Sequence, residues 1–130
     1  MNLTRGFRIL LIALLGLPLT SCRTIREYKE KVAAIEIEDL DLQAVADGEY
    51  LGEYDVRLVK AAVKVVVRNH RIESIELLRH DNGRGEDAEV IPGQVVKAQS
   101  LRVDTISGAT TSSKVILEAI ELALKKGMQK

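Results

Sequence analysis

Apolar and polar positions change period along this chain, and the changes mark its elements. Ile9 to Leu19 is an apolar run broken only by Gly16 and Pro18. From Arg23 to about Asp41 the pattern is charged and patchily apolar: Arg26, Glu27, Lys29, Glu30 and Lys31, then Val32-Ala-Ala-Ile35. That suits a short helix or a loosely ordered spacer. Glu36 to Leu42 alternates acids with Ile37, Leu40 and Leu42, which fits a strand or a second short helix equally well. Asp47 to Tyr54 combines β-prone tyrosines with Gly48 and Gly52, a strand with a bulge or a close backbone approach. Val56 to Arg68 reads as strand, with Val63, Val65 and Val67 alternating with Lys64, Val66 and Arg68. Asn69-His70-Arg71 is a tight connection. Ile72 to Arg79 is the next strand, with Ile75 and Leu77 on one face and Glu76 and Leu78 on the other. Three strands joined by short polar turns predict an antiparallel meander.

Beyond the meander the period lengthens. His80 to Asp87 is charged and carries the turn formers Asn82-Gly83 and Gly85. A short helix is predicted from about Pro92 to Ser100, since proline fits a first turn. Leu101-Arg-Val103 reads as a short strand. Lys114 to Lys126 is the clearest helix: Ile116, Ala119, Ile120 and Ala123 form one stripe, widened by Val115, Leu122 and Leu124. Glu121 and Lys125 are spaced to pair, the terminal lysines suit the helix C-terminus, and Gly127 is a natural stop. An apolar helix of this length must cover the sheet. The expected fold is a two-layer α+β domain, a small antiparallel sheet packed by a C-terminal amphipathic helix.

The 130 residues are enough for one small domain and not for two. Arg5 and Arg8 precede the first apolar run, and Leu19-Thr-Ser-Cys22 closes it. These are the basic, apolar and cleavage regions of a secretory signal, too short for a comfortable membrane span. Leu-Thr-Ser-Cys also resembles a bacterial lipobox, which implies that Cys22 is acylated and becomes the first mature residue. Cys22 is the only cysteine, so no intramolecular disulfide is available to it. The expected organisation is a lipoprotein signal at 1–21, a membrane-proximal spacer at 22–46 and the domain at 47–130. The protein is then exported and lipid-anchored to the cell membrane or outer membrane. Removal of residues 1–21 takes two arginines and no acid from 19 basic and 19 acidic residues, leaving a formal charge of −2. That is no signature of nucleic-acid binding, which needs a basic face. The two histidines, His70 and His80, stand in no cluster with metal-ligand spacing, so no metal site is expected. No nucleophile–base pair is visible, and no catalytic residue is assigned.

The chemistry concentrates at Asp104-Thr-Ile-Ser-Gly-Ala-Thr-Thr-Ser-Ser113, just ahead of the long helix. Small hydroxyl residues around a glycine at a helix start suit a phosphate, because exposed N–H groups and the helix dipole favour an anion there. The same residues are also favoured at any helix N-terminus for capping alone. The run resembles the flavinylation motif of the FMN-binding domain family, Asp-x-x-(Ser/Thr)-Gly-Ala-(Ser/Thr)-x-(Ser/Thr). Asp104, Ser107, Gly108, Ala109, Thr110 and Ser112 fill every specified position. Asp47-Gly-x-Tyr50-x-Gly52, His80 before a glycine-bearing turn and Ala98-Gln-Ser100 match further family features in order. The resemblance covers about residues 47–127.

The resemblance implies FMN held by a phosphoester, as in the flavinylated subunits of the sodium-pumping NADH:quinone reductase and of Rnf complexes. Residue-by-residue transfer puts the bond on Thr110, with Ser112 as the alternative and Thr111 where the pattern is unrestricted. Gly108 would let the backbone approach the phosphate, Ala109 would leave room for it, and Asp104 would brace the loop or mark the site for a transferase. His80 opens the loop that lies near the flavin in the family. That loop often reads His-x-x-Thr-Pro-Gly, and here it is His80-Asp-Asn-Gly-Arg-Gly85, without Thr-Pro. Tyr50 and Tyr54 are candidates for stacking on the ring or for ordinary packing. The implied partners are a flavin transferase that installs FMN from FAD with Mg²⁺, and redox partners in the membrane or outside the cell. The implied function is electron transfer by a carrier rather than a stand-alone enzyme. The alternative is a non-redox accessory lipoprotein that binds flavin loosely.

Overall fold

The computed structural model describes residues 19–129. Of the signal segment expected at 1–21, residues 1–18 lie outside the described residues. Helix α1 spans Leu19–Ala33. Strands β1 (Gly48–Asp55), β2 (Lys60–Arg68) and β3 (Arg71–Asp81) form the expected antiparallel meander, ordered β1-β2-β3. Helices α2 (Ile91–Ala98) and α3 (Thr110–Met128) follow, and α3 packs across the sheet. The fold is a two-layer α+β domain.

The core lies between α3 and the inner sheet face. Val63, Val65 and Val67 of β2 are fully buried against Val115, Ile116, Ala119, Ile120 and Ala123 of α3. Asn69 and His70 both adopt positive φ, 52° and 59°, as a two-residue type I′ hairpin turn requires. Gly52 provides the expected close backbone approach. A Cβ there would lie 1.9 Å from the Ala119 carbonyl oxygen and 2.8 Å from the Ala123 nitrogen, so α3 rests directly on β1.

Strand β3 is bulged twice. The register steps from Ala62↔Arg79 to Val63↔Leu77 and from Val66↔Ser74 to Val67↔Ile72, leaving Leu78 and Glu73 as extra residues. Each bulge reverses the side-chain phase downstream of it. Simple alternation from Leu77 would turn His80 outward. The bulge at Leu78 turns it inward, and its side chain is only 2% exposed.

Four local expectations are corrected. Leu101 to Val103 is not a strand: the Val103 N–H bonds back to the Leu101 carbonyl, and the Leu101 N–H is taken by Asp39 Oδ1, so no ladder can form. Strand β2 begins at Lys60, because Val56 to Val59 closes a turn with Arg57 at φ 75°. Helix α3 starts at Thr110, four residues before the expected start at Lys114. Gly127 does not stop that helix; it lies within the last turn, where a Cβ would come within 2.8 Å of the Tyr50 ring.

Residues 34–46 hold only a 3₁₀ turn at Leu42–Ala44, yet they are fastened to the domain. Ile35 and Val45 are buried. The buried Glu121 carboxylate accepts from the Glu38 N–H at 2.8 Å and from the Lys125 ammonium. Gln99 adds a second tie: its side-chain amide bonds both the N–H and the carbonyl of Ile72, fixing the end of α2 to edge strand β3.

Gly52→Ala is expected to lower stability by about 1–3 kcal/mol through overpacking against the α3 backbone. Gly93→Ala, where a Cβ meets nothing within 4 Å inside α2, should be neutral or gain up to about 1 kcal/mol. Urea midpoints of the two variants check this pair.

Candidate functional site

A cleft of about 660 Å³ opens beside the first turn of α3. Its polar side is the backbone and hydroxyls of residues 108–112 with the loop Gly83-Arg84-Gly85. Its apolar side is Tyr28 of α1 with Leu58 and Val59 of the β1–β2 turn. The volume falls within the range of roughly 300–1,000 Å³ typical of cofactor sites.

The start of α3 is built for an open N-terminus. Ile106 to Ala109 closes a turn through an Ala109 N–H to Ile106 carbonyl bond of 2.9 Å, with Gly108 in its third position at φ 79°. A type II turn requires a positive φ there, and glycine adopts it without strain. The fully buried Ser113 locks this turn to the helix. Its hydroxyl donates to the Ala109 carbonyl at 2.8 Å and accepts from the Ile106 N–H at 3.0 Å. Ala109 takes the N-cap position, and no side chain caps the helix. The N–H groups of Thr110, Thr111 and Ser112 therefore have no partner within the helix. A Cβ on Gly108 would meet nothing within 4 Å, so the space before the helix is free.

The hydroxyls of the motif divide sharply. Thr110 is exposed and lines the cleft, and Thr111 lines it half-buried. Ser112 is 3% exposed. Its Oγ lies 3.0 Å from His80 Nε2, and His80 Nδ1 lies 2.9 Å from Glu89 Oε1. A carboxylate only accepts, so in the neutral imidazole Nδ1 donates to Glu89 and Nε2 accepts from Ser112. The loop closes over this pair: a Cβ on Gly85 would sit 2.0 Å from Ser112 Oγ. Asn82 braces the loop by accepting from the Gly85 N–H at 3.1 Å.

The sequence-predicted residues thus fall into three groups. Gly108, Ala109, Thr110, Thr111 and Ser112 are brought together at the cleft. His80 stands behind Ser112, reaching the site through that hydroxyl. Ser107 and Asp104 are exposed and off the cleft wall. Of the tyrosines considered, Tyr50 is buried, with its hydroxyl donating to the Ala46 carbonyl, and half-buried Tyr54 packs on the core. Burial and the nearby Glu118 carboxylate hold the Tyr54 phenol above its ordinary range.

Sequence reasoning missed Tyr28, Leu58, Val59, Arg84 and Glu89. Arg84 is the one charged side chain among the described residues lining the cleft, and no ion-pair partner is found for it among them. Its place between two glycines of the loop after His80 was the signal that could have found it. Tyr28 and Val32 share a helix face by their spacing, but nothing local aims that face at residues 108–112. No group of three or more His, Cys, Asp or Glu among the described residues could hold a metal ion.

The FMN-binding domain family matches residues 59–125. A relative in Treponema pallidum (strain Nichols), an uncharacterised protein, is 29% identical over 107 residues. The match covers 80% of this chain and spans 28% of that protein's length. No solved structure gives a significant match. The family match takes in β2, β3, the glycine-bearing loop, α2 and nearly all of α3, the elements that carry the polar side of the cleft. The chain therefore belongs to the FMN-binding domain family, and FMN is its cofactor.

Proposed function

We propose that this chain is an exported, lipid-anchored carrier of FMN, bound through a phosphoester to Thr110, that relays electrons between partners at the cell envelope. One observation carries the attachment: Thr110 is a motif hydroxyl that is exposed at the cleft, whereas Ser112 is buried and engaged by His80. Its position in Ser107-Gly-Ala-Thr110 supports the same choice over Thr111.

The residues present fit the phosphate end of FMN. The uncapped N–H groups of Thr110, Thr111 and Ser112, the positive end of α3 and the guanidinium of Arg84 all favour the anionic phosphodiester, and Gly108 leaves space for it. In maturation the Thr110 hydroxyl gives up its proton and bonds to the FMN phosphorus of FAD; the pyrophosphate bond breaks and AMP leaves. The Mg²⁺ that assists belongs to the flavin transferase. Once bound, FMN supplies one- and two-electron redox chemistry, and the protein binds, orients and partly shields it. The cleft is open on one side, which suits exchange with a docked partner.

The anchor is read from Cys22. Acyl chains contribute roughly 0.8 kcal/mol per buried CH₂, and more than one is needed for stable attachment. No helix among the described residues is long and apolar enough to cross a membrane. Cys22 is exposed and lies on the same helix as Tyr28. At about 1.5 Å per residue, the cleft wall is then roughly 9 Å along the helix from the acylated residue. Such an anchor holds the flavin close to the membrane surface.

Three outcomes are expected. Thr110→Ala, matured with a flavin transferase, loses the flavin fluorescence of the denatured band. Ser112→Ala keeps most of it while losing about 1–3 kcal/mol of stability, because the buried His80 Nε2 loses its partner. FMN mass retained on Thr110→Ala would overturn the assignment. Cys22→Ser moves the protein from the membrane to the soluble or unprocessed fraction; a wild-type protein that is soluble with unmodified Cys22 would sink the anchor. Dithionite-reduced holoprotein is reoxidised rapidly by soluble one-electron acceptors. A flavin shielded from every such acceptor would favour a non-redox binding module instead.

A further inference from the structure

The apolar side of the cleft is made by chain outside the matched family region or at its first residue, and its aromatic member comes from α1. Helix α1 is held there by more than its connection to residue 34. Glu27 pairs with Arg57 at 3.5 Å, across to the turn that carries Leu58. One helical turn apart, Tyr28 and Val32 pack against the core from the same face. Tyr28 is half-buried and lines the cleft. The cleft thus combines two kinds of wall. Charge and N–H donors come from residues 84 and 108–112, and a flat aromatic and two aliphatic side chains line the same cleft. FMN combines the same two characters, a phosphate at one end and a planar aromatic system at the other.

Resting on the proposed reading of this site, we infer that α1 is a wall of the flavin site and that Tyr28 is the aromatic contact of the flavin ring. The helix that carries Cys22 then does more than space the anchor from the domain: it positions the cofactor. The other two tyrosines do not line the cleft, and the chain contains no tryptophan. Offset aromatic contact between Tyr28 and the ring is the interaction this geometry offers. Leu58 and Val59 complete an apolar surface that keeps water from that part of the ring.

The test reads the ring's surroundings rather than electron transfer. Tyrosine in contact with photoexcited flavin donates an electron to it and quenches its emission. Tryptophan does so faster; phenylalanine and leucine do not. The full chain, matured with a flavin transferase, is compared with Tyr28→Trp, Tyr28→Phe and Tyr28→Leu at equal flavin content, measured by intact mass and by absorbance after denaturation. The expected order of flavin fluorescence lifetime is Trp shortest, then wild type, with Phe and Leu several-fold longer. The differences should vanish when the proteins are unfolded. The Trp and Phe variants keep the bulk that packs on the core, so the order stays readable if the Leu variant folds poorly. Equal lifetimes in wild type, Phe and Trp overturn the contact while leaving FMN attachment intact. A wild-type chain with no flavin by mass and absorbance overturns the reading of the site, and this inference with it.

Discussion

The close approach of α3 to β1 at Gly52 sets the position of everything else. A helix lying on a sheet is usually held off by side chains on both surfaces. Here the strand has no side chain at the crossing, and the helix offers alanines, Ala119 and Ala123. The helix axis is therefore low over the sheet. Its first turn is carried down to the level of the inner-face residue His80, close enough for Ser112 to bond it directly. At the other end of the same helix, Gly127 admits the Tyr50 ring by the same logic. The helix is fitted at two glycines, and its N-terminus is placed as a consequence.

That placement explains the division among the hydroxyls. In a helix, residues two apart point nearly opposite ways. If Ser112 faces the sheet, Thr110 must face away from it, toward the cleft. Ser113, one step on, turns back to tie the preceding loop. At the start of α3 the Thr110 hydroxyl is thus exposed at the cleft and those of Ser112 and Ser113 are buried, each with a separate task. His80 is matched to Ser112 only because β3 carries a bulge at Leu78. Without the extra residue the imidazole would point to solvent, and the buried Ser112 hydroxyl would lack this partner.

The meander, the two later helices and the family motif ahead of the last one were legible in the sequence. Alternating valines, a two-residue polar turn and an apolar helical stripe are local signals, and local packing honours them. The parts that were not legible depend on contacts between distant segments. The Leu78 bulge leaves no mark in a run of mixed residues that alternates acceptably without it. Leu101 to Val103 has strand-like composition, but its N–H groups are claimed by Asp39 and by a tight turn. Gly127 looks like a helix stop because glycine usually is one, and only the Tyr50 ring beside it gives the other reason. Arg84 and Tyr28 read as ordinary surface residues until four segments meet at one cleft.

The loop from His80 to Gly85 shows how a site can keep its geometry while changing its letters. It lacks the Thr-Pro expected by resemblance, and a rigid proline turn is one way to hold such a loop. This chain uses another: Asn82 ties the loop to itself, and Gly85 has no side chain to collide with Ser112. What the site requires of the loop is closure over the Ser112–His80 pair and a surface toward the cleft. Both are met, and the substitution adds a cation, Arg84, to the cleft that the uncapped first turn of α3 also lines. A guanidinium and free N–H groups both attract an anion, so the altered loop stays on the cleft wall and brings charge to it.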